Sequence, residues 1–248
     1  MSDTILITGG GSGIGRALAE EFFKRGHTVI ISGRNEERLE AVCVANPGMH
    51  FAPLDVQDAD GIAHFAKEIV ARFPTLDTLV NNAGAQAMED LVENVDLALA
   101  ESIIATNLLG PVRLTLGLLP HLLAQPRAAI INVTSALAFV PYSGSPTYCA
   151  TKAALHSYGM SLRRQLRDTN VTVTEIIPPY VQTTMLGEWQ ASDPAAMPLA
   201  DFIAETMQNY DREPGAAENW VTRVNFERLA EREGRFDEAY QVVNSMLT

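Results

Sequence analysis

The chain has 248 residues, 47% of them hydrophobic and 19% charged, a balance that suits a folded globular protein with a sizeable core. Thirty acidic residues against eighteen basic ones give a formal net charge of -12, which argues against the broad basic footprint a nucleic-acid binder needs to neutralise phosphates. Two cysteines, Cys43 and Cys149, carry neither disulfide nor metal spacing, so a reducing, cytoplasmic setting is expected.

Met1-Ser2-Asp3-Thr4 runs straight into an apolar stretch, with no basic region and no small-residue cleavage site, so no signal peptide is expected. The spacing then predicts a strand over Thr4–Thr8, a glycine-rich turn, and a helix to about Arg25. A strand over 28–32, a helix over Glu36–Ala45, a strand over 49–54 and a helix over 58–72 follow, the last with apolar Ile62, Phe65, Ala66 and Ile69. Next come a strand over 79–81, a long helix over 96–123, a strand over 129–133, a helix over 147–166 and a strand over Val171–Ile177. The apolar run from 97 to 123 is broken by Glu101, Asn107, Gly110, Pro111, Arg113, Pro120 and His121, which suits a buried helix and not a membrane span. After Pro179 the alternation fades. Residues 183–200 mix Met185, Leu186, Trp189 and Met197 with prolines and polar residues and read as a substrate lid, and the tail from 219 to 248 reads as a short strand and a helix. Strands alternating with helices of this length build parallel βαβ units, and continuously apolar strands suit a sheet covered on both faces. The expected fold is therefore three-layer α/β: a Rossmann-type, doubly wound parallel sheet of six to seven strands, in one domain spanning 1–248.

Two patterns carry chemistry. Thr8-Gly9-Gly10-Gly11-Ser12-Gly13-Ile14-Gly15 lies between the first strand and the first helix, where a backbone free of side chains can approach a pyrophosphate and helix amides can meet its charge. Tyr148 and Lys152 stand four apart on a predicted helix and so share one side. An ammonium beside a tyrosine favours the phenolate and draws the pKa from near 10 towards neutrality, making a proton donor for an oxygen that gains charge as hydride reaches a carbonyl. With three lysines and six tyrosines in the chain, such a pair arises by chance about 0.07 times.

The TGxxxGxG spacing, Asn81-Asn82-Ala83-Gly84 after the fourth strand, and Asn107, Ser135, Tyr148 and Lys152 at their intervals resemble the short-chain dehydrogenase/reductase family over roughly residues 4 to 185. The stretches SGRNEERL, NLLGPVRLT, YCATKAALHSY and PPYVQT resemble the oxidoreductases named after bacterial D-alanylation operons, a name that says little about substrate. The resemblance implies a catalytic tetrad: Tyr148 as acid, Lys152 also on the nicotinamide ribose, Ser135 orienting the substrate oxygen, and Asn107 holding a water that passes protons to Lys152. It also implies cofactor contacts from Gly9, Ser12, Gly13, Ile14 and Gly15 in the turn, from Asp55 with Val56 at the adenine edge, from Asn82, Ala83 and Gly84 near the adenosine ribose, and from Val181 and Thr183. The family's usual Pro-Gly is Pro178-Pro179 here, so the backbone beside the nicotinamide is expected to depart from the family's path.

An NAD-specific second strand ends in a carboxylate, but this one ends Ser32-Gly33-Arg34. A guanidinium at Arg34 can clamp a 2′-phosphate, so NADP(H) is favoured over NAD(H), although Ser12 stands where some NADP-preferring relatives carry a second basic residue. Cys149 reads as a buried apolar thiol, and His121 and His156 as structural, with no metal expected. The activity expected is hydride transfer between NADP(H) and a carbonyl or secondary alcohol, with Leu137, Tyr142, Met185, Leu186 and Trp189 suggesting an apolar or aromatic ketone or aldehyde. Two alternatives use the same features: a cofactor-binding redox sensor, which would typically lack the tyrosine or lysine, and an epimerase or dehydratase, for whose extra domain the roughly 65 residues after the sixth strand leave little room. By resemblance the helices 96–123 and 147–166 pair across a two-fold axis in a homodimer or homotetramer; nucleic-acid and membrane partners are not expected.

Overall fold

The computed structural model describes residues 3–245, so Met1, Ser2 and the end of the predicted tail lie outside the described residues. Seven strands form one wholly parallel sheet in the order β3-β2-β1-β4-β5-β6-β7. They are β1 (Thr4–Thr8), β2 (Thr28–Gly33), β3 (His50–Pro53), β4 (Leu76–Asn81), β5 (Ala128–Val133), β6 (Val171–Ile177) and β7 (Glu218–Trp220). The chain runs outward from β1 to β3, returns to the far side of β1 for β4, and continues to β7. The crevice at the strand ends between β1 and β4 is therefore the place where such sheets bind ligands.

Period-two alternation splits the strand residues between two cores. Ile5, Ile7, Val29 and Ile31 pack on one face with Leu18 and Phe22 of α1 (Gly13–Lys24), Leu39 and Val42 of α2 (Glu36–Ala45), and Phe202 and Met207 of α7 (Leu199–Arg212). Leu6, Ile30, Leu79 and Ile130 pack on the other with Ile62 and Phe65 of α3 (Ala59–Arg72), Leu114 and Leu118 of α5 (Gly110–Ala124), and Leu162 of α6 (Pro146–Leu166). Short polar residues start several of these helices: Asn35, Asp58 and Asp96 accept from the backbone N–H groups of Arg38, Gly61 and Leu99 at 2.9–3.0 Å.

The structure bears out the three-layer parallel fold and corrects three local readings. The single helix expected over 96–123 is α4 (Leu97–Ile104), one π-helical turn over Ala105–Leu109, then α5. Gly110 follows that turn pressed so close to Val56 that a β-carbon would stand 2.8 Å from its carbonyl oxygen. The segment Leu97–Ala124 matches a membrane span in length and composition, yet its Leu114, Leu118 and Leu122 are fully buried in the second core. The second is α7, which fills a stretch to which the sequence reading assigned no element. The third is the tail, which adds β7, then α8 (Asn225–Arg228) and α9 (Phe236–Ser245), more helix than the sequence suggested.

Candidate active site

The glycine turn is shaped by close packing. A β-carbon on Gly15 would lie 2.3 Å from Asn82 Nδ2 and 2.4 Å from the Gly9 carbonyl oxygen, and one on Gly10 would lie 2.5 Å from Ile31. Gly9 and Gly13 have φ of 69° and 52°, a region that favours glycine. Thr8, which the sequence reading left out of the site, braces this turn: its Oγ1 accepts from the N–H groups of both Asn82 and Ala83 at 3.0 Å, while Asn82 Nδ2 donates to the Thr8 carbonyl at 2.8 Å. Asn82 and Ala83 thus tie β4 to the turn. Ser12 precedes α1 without capping it, which leaves the first helical amides uncapped by its side chain, and Ile14 packs inward on the first core.

Across the crevice, a β-carbon on Gly13 would sit 3.5 Å from the Thr183 methyl, so turn and post-β6 loop face each other over a narrow gap. Val181 is buried, and the Gln190 amide holds its carbonyl at 2.9 Å. The Pro178 carbonyl accepts from Ala136 N–H at 2.9 Å, so the Pro178-Pro179 pair joins the post-β5 segment of the site. Arg34 is exposed at the end of β2 and makes no side-chain hydrogen bond or ion pair among the described residues; Asn35, not Arg34, caps α2. Arg38, one turn along, has its β-carbon 3.5 Å from where one on Gly11 would stand. Asp55 is exposed and accepts from Gln57 N–H at 3.0 Å, and Val56 is buried beside it.

The four residues of the expected tetrad are all buried, with Asn107 at 0%, Lys152 at 3%, Tyr148 at 6% and Ser135 at 7% exposure. Asn107 lies in the π turn. Its Oδ1 accepts from Ala85 N–H at 2.8 Å, and its Nδ2 donates to the Ala85 carbonyl at 2.9 Å and to Thr151 Oγ1 at 3.1 Å, joining the Gly84 loop to α6. A methyl group on Gly84 would stand 3.6 Å from Asn107 Oδ1 and 3.7 Å from Lys152 Nζ, so these three meet at one point. Lys152 Nζ donates to the Val133 carbonyl at 2.8 Å and lies 5.6 Å from the Tyr148 ring centroid.

Burial governs the protonation of this pair. Loss of water pushes Tyr148 up to about 12, with the Ser135 hydroxyl pulling the other way, and pushes Lys152 down to about 8. The net shift is opposite to the lowering expected from Lys152: the downward pull comes from the Ser135 hydroxyl, and a buried phenolate loses more hydration than that hydrogen bond returns. Cys149 is the buried thiol expected: its Sγ accepts from Tyr142 N–H at 3.3 Å, and burial raises its pKa. His156, read as structural, has its Nδ1 2.7 Å from Glu175 Oε2, and Glu218 brings a third ligand atom to within 4.8 Å. Each carboxylate in that group already has a partner, Arg228 on Glu218 and Thr134 on Glu175.

Such an arrangement fits a dinucleotide laid from the β2 end, over the glycine turn, to the meeting point of Gly84, Asn107 and Lys152. The model of the short-chain dehydrogenase family matches residues 3–194. The chain belongs to that family. It is 38% identical over 242 residues to the uncharacterized oxidoreductase DltE of Bacillus subtilis (strain 168), covering 93% of this chain and 96% of that one. It is 37% identical over 202 residues to sulfoacetaldehyde reductase 2 of Chromohalobacter salexigens, covering 78% and 80%. Among solved structures it resembles the closed form of serine dehydrogenase complexed with NADP+, with a TM-score of 0.79 and 27% identity over 88% of this chain and 94% of that one. The family membership and the resemblance to DltE agree with the motifs read from the sequence.

Proposed function

We propose that this protein is an NADP(H)-dependent carbonyl reductase or alcohol dehydrogenase, with Tyr148 as proton donor. The observation that carries the reading is a buried cluster in which Asn107 and Lys152 meet at Gly84, Lys152 lies near the Tyr148 ring, and Ser135 interacts with the Tyr148 hydroxyl. The cofactor, when bound, supplies or accepts a hydride. The chain does the rest. Ser135 holds the substrate oxygen, Tyr148 gives it a proton, Lys152 holds the ribose and restores the proton, and Asn107 fixes the loop through which water reaches Lys152. The turn residues Gly9, Ser12, Gly13, Ile14 and Gly15, with Val181 and Thr183, hold the pyrophosphate and carboxamide. Asp55, Val56, Asn82, Ala83 and Gly84 hold the adenosine. Arg34 and Arg38, both exposed and uncommitted, favour the 2′-phosphate, and the NADP+ bound to serine dehydrogenase supports this choice.

The substrate class is an apolar or aromatic ketone or aldehyde. Tyr148 shares an apolar cluster with Tyr142, Val140, Leu137, Phe226 and Tyr240, which favours a hydrocarbon flank over the charged group that sulfoacetaldehyde carries. Residues 183–200 serve as the lid, with Met185 and Trp189 exposed on it and Gln190 pinning its base. The segment beyond β6 completes the sheet and packs around Tyr148. The two free cysteines suit a cytoplasmic setting. NADPH consumption across a panel of aryl and alkyl ketones, with sulfoacetaldehyde included, tests the reading. Turnover of aryl ketones supports it; NADPH binding with no turnover on any carbonyl would favour the sensor.

A further inference from the structure

Helix α6 carries Tyr148, Lys152 and His156 at four-residue steps, so the three share one face. Behind that face, on β6, stands Glu175 at 2% exposure. Its Oε1 accepts from Thr134 Oγ1 at 2.6 Å, and its Oε2 lies 2.7 Å from His156 Nδ1. Beyond His156, Glu218 of β7 is gripped by Arg228 of α8 through both oxygens at 2.6 and 2.8 Å. Arg228 stacks 4.6 Å from the centroid of Phe139, whose ring meets the His156 ring edge-on at 4.8 Å. Arg163 of α6 closes the far side, donating to the Val173 and Ala217 carbonyls.

A carboxylate buried inside a sheet is expensive unless something needs its charge. Arg228 is held by Glu218 and also feels Glu175. Lys152 Nζ rests on the Val133 carbonyl at 2.8 Å, the next residue, Thr134, holds Glu175, and His156 one helical turn on from Lys152 meets it too, so its charge stands behind the ammonium and opposes the loss of that proton on burial. We propose that Glu175, fixed by Thr134 and His156, is the counter-charge behind Lys152, a positioning residue that acts on the reaction through the ammonium. The inference rests on the reading of Tyr148 and Lys152 as the reacting pair. Its physical content is a sign: a fixed negative charge raises the proton affinity of both members of the pair, so removing it lowers both.

The test follows oxidation of 1-phenylethanol with NADP+ against pH. Glu175→Gln keeps the shape and removes the charge, and should move the acid limb to lower pH by roughly half to one unit. Glu175→Asp keeps the charge and should keep the inflections while losing some turnover. An unshifted Glu175→Gln profile, or an equal shift in Glu175→Asp, overturns the proposal. A stability cycle needs no substrate: Lys152→Met, Glu175→Gln and the double variant are compared by thermal unfolding with the profile. Attraction between the two charges predicts that the double loses less Tm than the singles combined; additive losses overturn the proposal. If Glu175→Gln alone does not fold, folding of the double supports it and failure of the double overturns it. Should Tyr148→Phe retain turnover, the reading of the pair fails instead, which the stability cycle does not touch.

Discussion

Arg34 follows β2 directly, with no side-chain partner among the described residues, so its guanidinium is free to meet a ligand. A charge-assisted contact with a 2′-phosphate is worth roughly ten- to a hundredfold in affinity. Arg34→Ala is expected to lower kcat/KM for NADPH by about that factor and to leave NADH nearly unchanged. Adding Gly33→Asp should reverse the preference, since a carboxylate repels the phosphate and accepts from a ribose hydroxyl. The place has room: a β-carbon on Gly33 meets only Leu39, at 3.8 Å. A high ratio surviving Arg34→Ala moves recognition to Arg38, and a wild-type ratio near one contradicts the choice of NADP(H). At this scale the sequence is uneven. Tyr148 and Lys152 were legible because four-residue spacing on a helix is a local signal. Glu175, Thr8 and the partner of His156 were not, because their contacts run between β6 and α6, or between β1 and β4, where no local spacing records them.

Among the elements, the glycine turn is the least forgiving. Gly15→Ala would drive a methyl group into Asn82 Nδ2 and the Gly9 carbonyl, and overpacking of that kind costs roughly 1–3 kcal/mol. The expected outcome is a lower unfolding midpoint together with loss of NADPH binding in fluorescence titration; unchanged values for both would mean the turn is looser than its contacts imply. Helices α4, α5 and α6 carry a second expectation. Leu114 and Leu118 point into the core, while Leu97, Ile104, Leu109, Leu116 and Met160 are 38–69% exposed. Apolar residues left in water on neighbouring helices favour self-association. Light scattering should therefore give a dimer or tetramer, and a monomer of about 27 kDa at micromolar concentration contradicts it. Element types were legible wherever apolar period and turn residues agreed. Helix α7 shows the limit: Phe202, Ile203, Thr206 and Met207 follow helical spacing, but no element was assigned between the lid at 183–200 and the tail from 219. The π turn in 96–123 left no mark in the sequence pattern, although it carries Asn107, whose side chain meets Ala85.

For the whole molecule, the parallel sheet sets where chemistry can occur. Strand order reverses at β1, so the ends of β1 and β4 open a crevice; Thr183, after β6, faces its glycine turn, and Lys152 of α6 meets Gly84 after β4. The tail packs Ala239 and Val243 of α9 into the cluster around Tyr148, and Asn244 clamps the Pro141 carbonyl and Ser143 N–H at 3.1 and 2.7 Å. That packing buries Tyr148, and burial keeps its hydroxyl protonated at neutral pH. The central claim is that this hydroxyl supplies the proton. Steady-state reduction of an aryl ketone by NADPH, compared between wild type and Tyr148→Phe with the NADPH dissociation constant measured on each, tests it most directly. The account predicts that turnover falls by about a hundredfold or more while cofactor affinity stays within about twofold. Retention of more than about a tenth of wild-type turnover would contradict it.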